Sequence, residues 1–276
     1  MRILVTGAGG FLGSAVLRVA RAAGLSAIGS GRTGTEYDID LEDPCALLTA
    51  LDRLRPSAII NCAVRAEFGS GVLANLYGVN VLAPALMAGW TAKTQGRLIH
   101  ASATLVHGSR AEQVDENSPV NPDTDYGRSK ALAEELIRAS GCKAAIVRLA
   151  GIFGKGGPEH LGLNRAIREA TAGRPPVLKG TGSARRNYVY VDDAASALVH
   201  CATSGLSGTF HLAGPEGHSI GEMLEMVCEV FLPGTRPVVS AGKDGPSQIV
   251  NSSAVLPPGR SFRAALLNEA SMTALD

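Results

Sequence analysis

The chain has 276 residues, 45% of them hydrophobic and 18% charged, and its 26 Lys and Arg against 25 Asp and Glu leave a formal net charge of +1. That profile belongs to a globular protein of one or two domains and excludes the basic balance expected of a nucleic-acid or anionic-membrane binder. Cys45, Cys62, Cys142, Cys201 and Cys228 show neither zinc nor redox spacing and the histidines no metal spacing, no apolar run nears the roughly 20 residues that span a bilayer, and the first strand-like run begins at residue 2; a cytoplasmic protein without a metal is expected.

In chain order, Arg2-Ile3-Leu4-Val5-Thr6 reads as a buried strand, and Gly7, Gly10 and Gly13 punctuate the turn into a helix marked by Phe11, Leu12, Ala15, Val16, Val19 and Ala20. Leu25 to Ser30 is the second strand, Pro44 to Leu54 a helix, and Ser57 to Asn61 the third strand. A helix over about Val72 to Thr94 precedes the strand Arg97 to Ala101, and a helix beginning near Tyr126 precedes Ala144 to Arg148. Such alternation predicts βαβ units in a Rossmann-type, doubly wound parallel α/β sheet, with ligands beyond the carboxyl ends of its strands.

After residue 150 the texture becomes rich in Gly and Pro, with a strand-like Asn187 to Val191, a helix from Asp192 to about Cys201, and short signals at Thr209–Leu212 and Ser219–Phe231. The tail beyond Pro233 carries few periodic signals. The expected organisation is a dinucleotide-binding domain of residues 1–150 with 186–206, and a smaller discontinuous C-terminal substrate lobe of 151–185 with 207–276.

A glycine turn between strand and helix suits a phosphate, although Leu12 stands where the usual dinucleotide fingerprint has its third glycine. Thr6-Gly7-x-x-Gly10-x-x-Gly13 together with Tyr126-x-x-x-Lys130 resembles the extended short-chain dehydrogenase/reductase family, in its epimerase/dehydratase and deoxysugar 4-keto reductase branch. The likeness continues through Asp40-Leu41, Asn61-Cys62-Ala63-Val64, Asn80, Arg148 to Gly154 and Arg186 to Asp193, so that it covers residues 2 to about 225. It implies a nicotinamide dinucleotide held by Gly7, Gly10, Phe11, Leu12, Gly13, Asp40, Leu41, Ala63, Val64 and Lys130, the last on the nicotinamide ribose.

Tyr126 and Lys130 stand four apart on one helix face, so an ammonium near the phenol is expected to lower the tyrosine pKa and prepare it for proton exchange with a carbonyl or alcohol. The family's third catalytic residue, a Ser or Thr, falls on Ala103 by counting back from Gly108, which leaves Thr104 or Ser102 as a substitute hydroxyl beside a substrate-facing Ala103. Strand alternation aims both away from the direction in which residue 103 points, unless the strand end bends. At the end of the second strand, Ser30, Arg32 and Thr33 suit a 2′-phosphate, and no acid lies between Gly29 and Gly34, so NADP is expected over NAD.

By the same resemblance Arg186 contacts the diphosphate of a nucleotide-sugar, with Arg185 as its adjacent competitor and an ion pair to Asp192 or Asp193 as the structural alternative. Asn80 is expected to tie helix to sheet, and His100 and His107 to be structural. The resulting expectation is an NADP-dependent oxidoreductase acting on a nucleotide-sugar or related keto-sugar, with a 4-keto reductase favoured. A nucleotide-sugar epimerase that retains its cofactor and a non-catalytic NADP-binding sensor are the alternatives. Pairing through the helices near Val72–Thr94 and Tyr126–Ser140, as the family often does, would give a homodimer.

Overall fold

The computed structural model describes residues 1–32, 34–65 and 76–273. Among them, seven parallel strands form one sheet: β1 (Arg2–Thr6), β2 (Ser26–Gly31), β3 (Tyr37–Asp38), β4 (Ala58–Asn61), β5 (Arg97–Ala103), β6 (Lys143–Leu149) and β7 (Gly208–Leu212). Their order is β7-β6-β5-β4-β1-β2-β3, so the winding reverses between β1 and β4. At such a reversal the loops leaving neighbouring strands diverge and open a crevice for a ligand.

Side-chain alternation builds a core on each face. Ile3, Val5, Ile60, Ile99 and Val147 point to one side, where they meet Val16 and Ala20 of α1 (Phe11–Ala22) and Ala194 and Leu198 of α6 (Val191–Ser204). Leu4, Ile59, Leu98 and Ile146 point to the other side. There they meet Leu47 and Leu51 of α2 (Pro44–Leu54), Met87 of α3 (Ala83–Thr94) and Ile137 of α4 (Asp125–Ala139).

The helix starts follow from local chemistry. Asp43 caps α2 by accepting from the Cys45 and Ala46 amides at 2.8 and 3.1 Å, ahead of Pro44 at the first helical position. Thr124 caps α4 through the Gly127 amide at 3.0 Å. One turn of π-helix, Gly78–Leu82, leads into α3; residues 72–75 of the expected helix lie outside the described residues.

The remaining segments cover the carboxyl end of the sheet. Ile152–Phe153 pairs with Val189–Tyr190, Val177–Lys179 with Val238–Ser240, Arg185–Arg186 with His218–Ser219, and Gln113–Val114 with Ile249–Val250. α5 (Gly162–Thr171) and α7 (Ile220–Phe231) share a small apolar cluster of Ala166, Leu178 and Leu224. Three expectations differ from what is found. Gly208–Leu212, expected in the smaller lobe, is instead the edge strand of the main sheet, in register with Ala145–Leu149. Val191, expected to end a strand, opens α6. The tail carries a helix, α8 (Phe262–Thr273), which the sequence pattern did not reveal.

Candidate active site

The glycine turn after β1 holds its shape because two of its positions exclude a side chain. Gly7 has φ +71°, and a Cβ there would lie 2.7 Å from the Ala63 backbone nitrogen. A Cβ on Gly13 would lie 2.1 Å from the Gly7 carbonyl oxygen, inside any permitted contact. Gly10 is the N-cap of α1 with extended backbone, no side-chain cap and no acidic residue in the first turn. The first amides of the helix are therefore left to an incoming anion, which the helix dipole also favours.

Beyond this turn lies a groove. Gly7, Gly9 and Gly10 form its floor, Arg32 stands at the end of β2, Asp40 and Leu41 follow β3, and Ala63 and Val64 follow β4. The Asp40 carboxylate accepts the Glu42 amide at 2.9 Å, and the Arg65 guanidinium meets Glu42 at 2.7 Å on the rim. Ser30 is buried within β2 and does not line the groove, which corrects its expected part in phosphate binding; Thr33 lies outside the described residues. A glycine turn closed to a Cβ at Gly7 and Gly13, facing an uncapped helix end, fits the pyrophosphate of a dinucleotide.

Gly10, Cys62 and Val64 also border a second cavity, so the two form one continuous trough across the reversal point. Phe11, Leu12 and Gly13 form one wall, and Tyr126 and Lys130 of α4 another, with Ala103 and Thr104 at the end of β5 beside them. Lys130 is buried and donates from Nζ to the Ala101 carbonyl at 2.8 Å, while the same atom lies 6.0 Å from the centre of the Tyr126 ring. The one-face spacing of the pair thus places both groups in a single cavity.

Their electrostatics depart from expectation. Burial pushes the Tyr126 phenol up to about 12 and pulls the Lys130 amine down to about 8. The expected depression of the tyrosine by the lysine is corrected: removal from water disfavours the phenolate, and the ammonium is directed at a carbonyl rather than at the phenol oxygen. Near neutral pH Tyr126 therefore holds its proton, the state needed to give one away.

Two hydroxyls flank Ala103. Ser102 donates to Glu134 Oε1 at 2.6 Å, and that carboxylate is also gripped by Arg148 Nη2 at 2.7 Å and by Arg138 Nη2 at 2.6 Å. Ser102 also borders the cavity, but its hydroxyl proton serves this buried ion cluster. β5 ends at Ala103, and Thr104 opens a 3₁₀ turn, Thr104–His107, where strand alternation no longer applies. Thr104 is buried, borders the cavity, and donates to Gln248 Oε1 at 3.2 Å.

Arg186, in the short pairing with His218–Ser219, borders the cavity and donates to the Pro246 carbonyl at 2.8 Å, while Arg185 is exposed and reaches the Gly217 carbonyl. The structural alternative for Arg186 falls away, because Asp192 pairs with Arg18 and Asp193 with Arg260. Asn80 receives the Arg65 amide and donates to the Arg65 carbonyl, both at 2.9 Å, and donates to Ser129 Oγ at 3.1 Å. It thereby ties the chain leaving β4 to α4. Gln248, from the tail, was not anticipated, since only its contacts in space bring it to the cavity. His100 is buried and held neutral by desolvation, its Nδ1 facing the Asn61 amide at 3.1 Å. Among the described residues no group of three His, Cys, Asp or Glu side chains could hold a metal ion, and no helix is long and apolar enough to cross a membrane.

Comparison with known proteins agrees with this geometry. The family model described as the NAD dependent epimerase/dehydratase family matches residues 3–213. Over 226 residues the chain is 31% identical to the dTDP-4-dehydrorhamnose reductase of Mycobacterium tuberculosis, which covers 78% of this chain and 70% of that protein. It is 27% identical over 269 residues to the dTDP-glucose 4,6-dehydratase of Neisseria meningitidis serogroup B, covering 83% and 76%. The solved structure of MoeE5 in complex with UDP-glucose and NAD shares the fold, with a TM-score of 0.85, 23% identity, and coverage of 100% of this chain and 99% of that one. The chain belongs to the NAD-dependent epimerase/dehydratase family, the extended short-chain dehydrogenase/reductases that modify nucleotide-sugars with a nicotinamide cofactor.

Proposed function

We propose that this protein is an NADP-dependent 4-keto reductase of a nucleotide-linked sugar. The observation that carries the reading is the meeting of Tyr126, Lys130 and Thr104 in a cavity continuous with the dinucleotide groove. A proton donor and a hydride site then lie side by side, as reduction of a carbonyl requires.

Gly7, Gly10 and Gly13 would cradle the pyrophosphate, Asp40, Leu41, Ala63 and Val64 the adenosine side, and Phe11, Leu12 and Lys130 the nicotinamide half. Arg32, exposed on the groove with no acid beside it in β2, supports NADP over NAD through its match to a 2′-phosphate. When bound, the reduced cofactor supplies the hydride. Tyr126, protonated near neutral pH, gives the proton to the carbonyl oxygen, and Lys130 orients the ribose and holds positive charge near the developing oxyanion. Thr104 supplies the hydroxyl that faces substrate beside Ala103, and Arg186 takes the substrate diphosphate. The exposed Leu132 and Leu136 of α4 and Leu82 before α3 support pairing of two copies through these helices.

A second reading, epimerisation with retained cofactor, is favoured by the segment Val177–Gly182 ahead of Arg186, which resembles the sugar epimerases. The two separate in one assay: protein, NADPH and dTDP-4-dehydrorhamnose are mixed and nicotinamide absorbance is followed. Reduction consumes NADPH in proportion to sugar, whereas an epimerase alters the sugar with no net change in absorbance. Binding of NADPH without turnover over a panel of nucleotide keto-sugars would support the sensor and overturn both.

A further inference from the structure

Gln248 enters the cavity from the C-terminal segment and is almost wholly buried, at 5% exposure. Its amide spans the 3₁₀ turn that follows β5. Oε1 accepts from Thr104 Oγ1 at 3.2 Å at the start of the turn, and Nε2 donates to the Gly108 carbonyl at 3.1 Å just past its end. The backbone holds Gln248 in place from behind, since its own amide donates to the Arg185 carbonyl at 2.9 Å and it bridges to Arg186.

The polarity of this clip is fixed by elimination. A carbonyl oxygen accepts only, so the end of the Gln248 side chain facing Gly108 has to be the nitrogen. The end facing Thr104 is then an amide oxygen, which also accepts only. The one proton on Thr104 Oγ1 is therefore committed to Gln248, and what the hydroxyl has left to offer is its lone pairs.

From this geometry we infer that Gln248 is a positioning residue that fixes Thr104 as a hydrogen-bond acceptor toward the bound substrate. The inference rests on the reductase reading and refines it. In the ordinary arrangement of the family two hydroxyls donate to the reacting oxygen. Here Tyr126 is the proton donor, and Thr104 accepts a hydrogen bond from a hydroxyl of the bound substrate. Gln248 sets the polarity of Thr104 in this way without touching the reacting atoms.

The test is a double-mutant cycle of Thr104→Val and Gln248→Met, with Thr104→Ser as the conservative variant, in NADPH-loaded full-length protein with dTDP-4-dehydrorhamnose as the probe. One lost hydrogen bond of about 1–2 kcal/mol corresponds to a fall in kcat of roughly 5–30-fold for each single variant. The double variant is expected to fall no further than the worse single one, Thr104→Ser to retain activity within about threefold, and KM for NADPH to stay unchanged in all four. Multiplying losses in kcat, or a Gln248→Met effect confined to NADPH binding, overturns the inference. NADPH affinity by fluorescence titration shows whether each variant is folded. The same cycle read in melting temperature needs no substrate: non-additive losses are expected, and additive ones overturn the clip. Wild-type protein inert toward the sugar defeats the reductase reading and leaves the clip to stand or fall on the melting cycle.

Discussion

Tyr126 and Lys130 show how one spacing carries two messages, only one of which a sequence spells out. Four residues on a helix put both side chains on one face, and they share a cavity as that spacing requires. Their protonation could not be read in the same way, because spacing says nothing of water. Desolvation raises the phenol to about 12 and lowers the amine to about 8. A lysine with a lowered pKa is charged below that value and neutral above it. Binding and turnover of NADPH should therefore decline as pH rises through about 8 in the free enzyme, and a kcat/KM profile flat to pH 10 would contradict this. Arg32→Ala should weaken NADP about 10–100-fold, the range of one or two charge-assisted hydrogen bonds, and leave NAD binding within about twofold. Paired titrations of the two cofactors check it, and equal losses would defeat the 2′-phosphate assignment.

Elements were legible where a period or a cap marked them. The five expected strands of the first half appear, and α2 spans the expected Pro44–Leu54, because Asp43 and Pro44 announce its start and apolar spacing its length. α8 was hidden by chemistry: Phe262, Ala265 and Leu266 keep helical spacing, but the next core position is Glu269, whose buried carboxylate accepts from the Tyr190 hydroxyl at 2.5 Å. A charged residue at a core position erases the period. The end of β5 stayed open along the chain for another reason. Alternation would turn Thr104 away from the direction of residue 103, yet the strand stops at Ala103 and the 3₁₀ turn resets the rotation. The turn after β1 gives the sharpest test at this scale. Gly13→Ala would press a methyl to 2.1 Å from the Gly7 oxygen, so the turn must open. Overpacking of this kind costs about 1–3 kcal/mol. A lower melting temperature together with a loss of NADPH affinity of tenfold or more is expected, and unchanged affinity would show that the cradle tolerates a side chain.

Across the whole molecule a buried polar chain ties α4 to strands β5, β6 and β7 of the sheet. Glu134 of α4 holds Ser102 and Arg148, Arg148 donates to His107 Nε2 at 3.1 Å, and His107 faces His211 of β7 at 2.9 Å between their Nε2 atoms. The Pro119 carbonyl takes the His107 Nδ1 proton at 2.8 Å, so the His107 Nε2 is an acceptor and His211 donates to it. Both imidazoles are neutral; burial depresses each pKa, that of His211 to about 4, with the Arg148 charge adding to the effect. A folded pKa below the unfolded one means that the unfolded chain binds more protons in between. Stability is then intact above about 6.5 and lost as pH falls toward 4. Chemical denaturation at pH 7, 6, 5 and 4.5 should show this loss, and His211→Gln should flatten it. An unchanged slope in that variant would assign the acid sensitivity elsewhere. None of these pairings was visible along the chain, since His107 and His211 are 104 residues apart and only the sheet brings them together.

The reaction proposed for this trough is hydride transfer from NADPH to a nucleotide-linked ketone, with Tyr126 as proton donor. Its most direct measurement is the stoichiometry of NADPH consumed to dTDP-4-dehydrorhamnose supplied, in wild-type protein and in Tyr126→Phe. One NADPH per sugar is predicted for the wild type, with a rate lowered about 10²–10⁴-fold in the variant, the range of a lost general acid. Sugar converted without NADPH consumption, or a Tyr126→Phe protein as fast as the wild type, would contradict it.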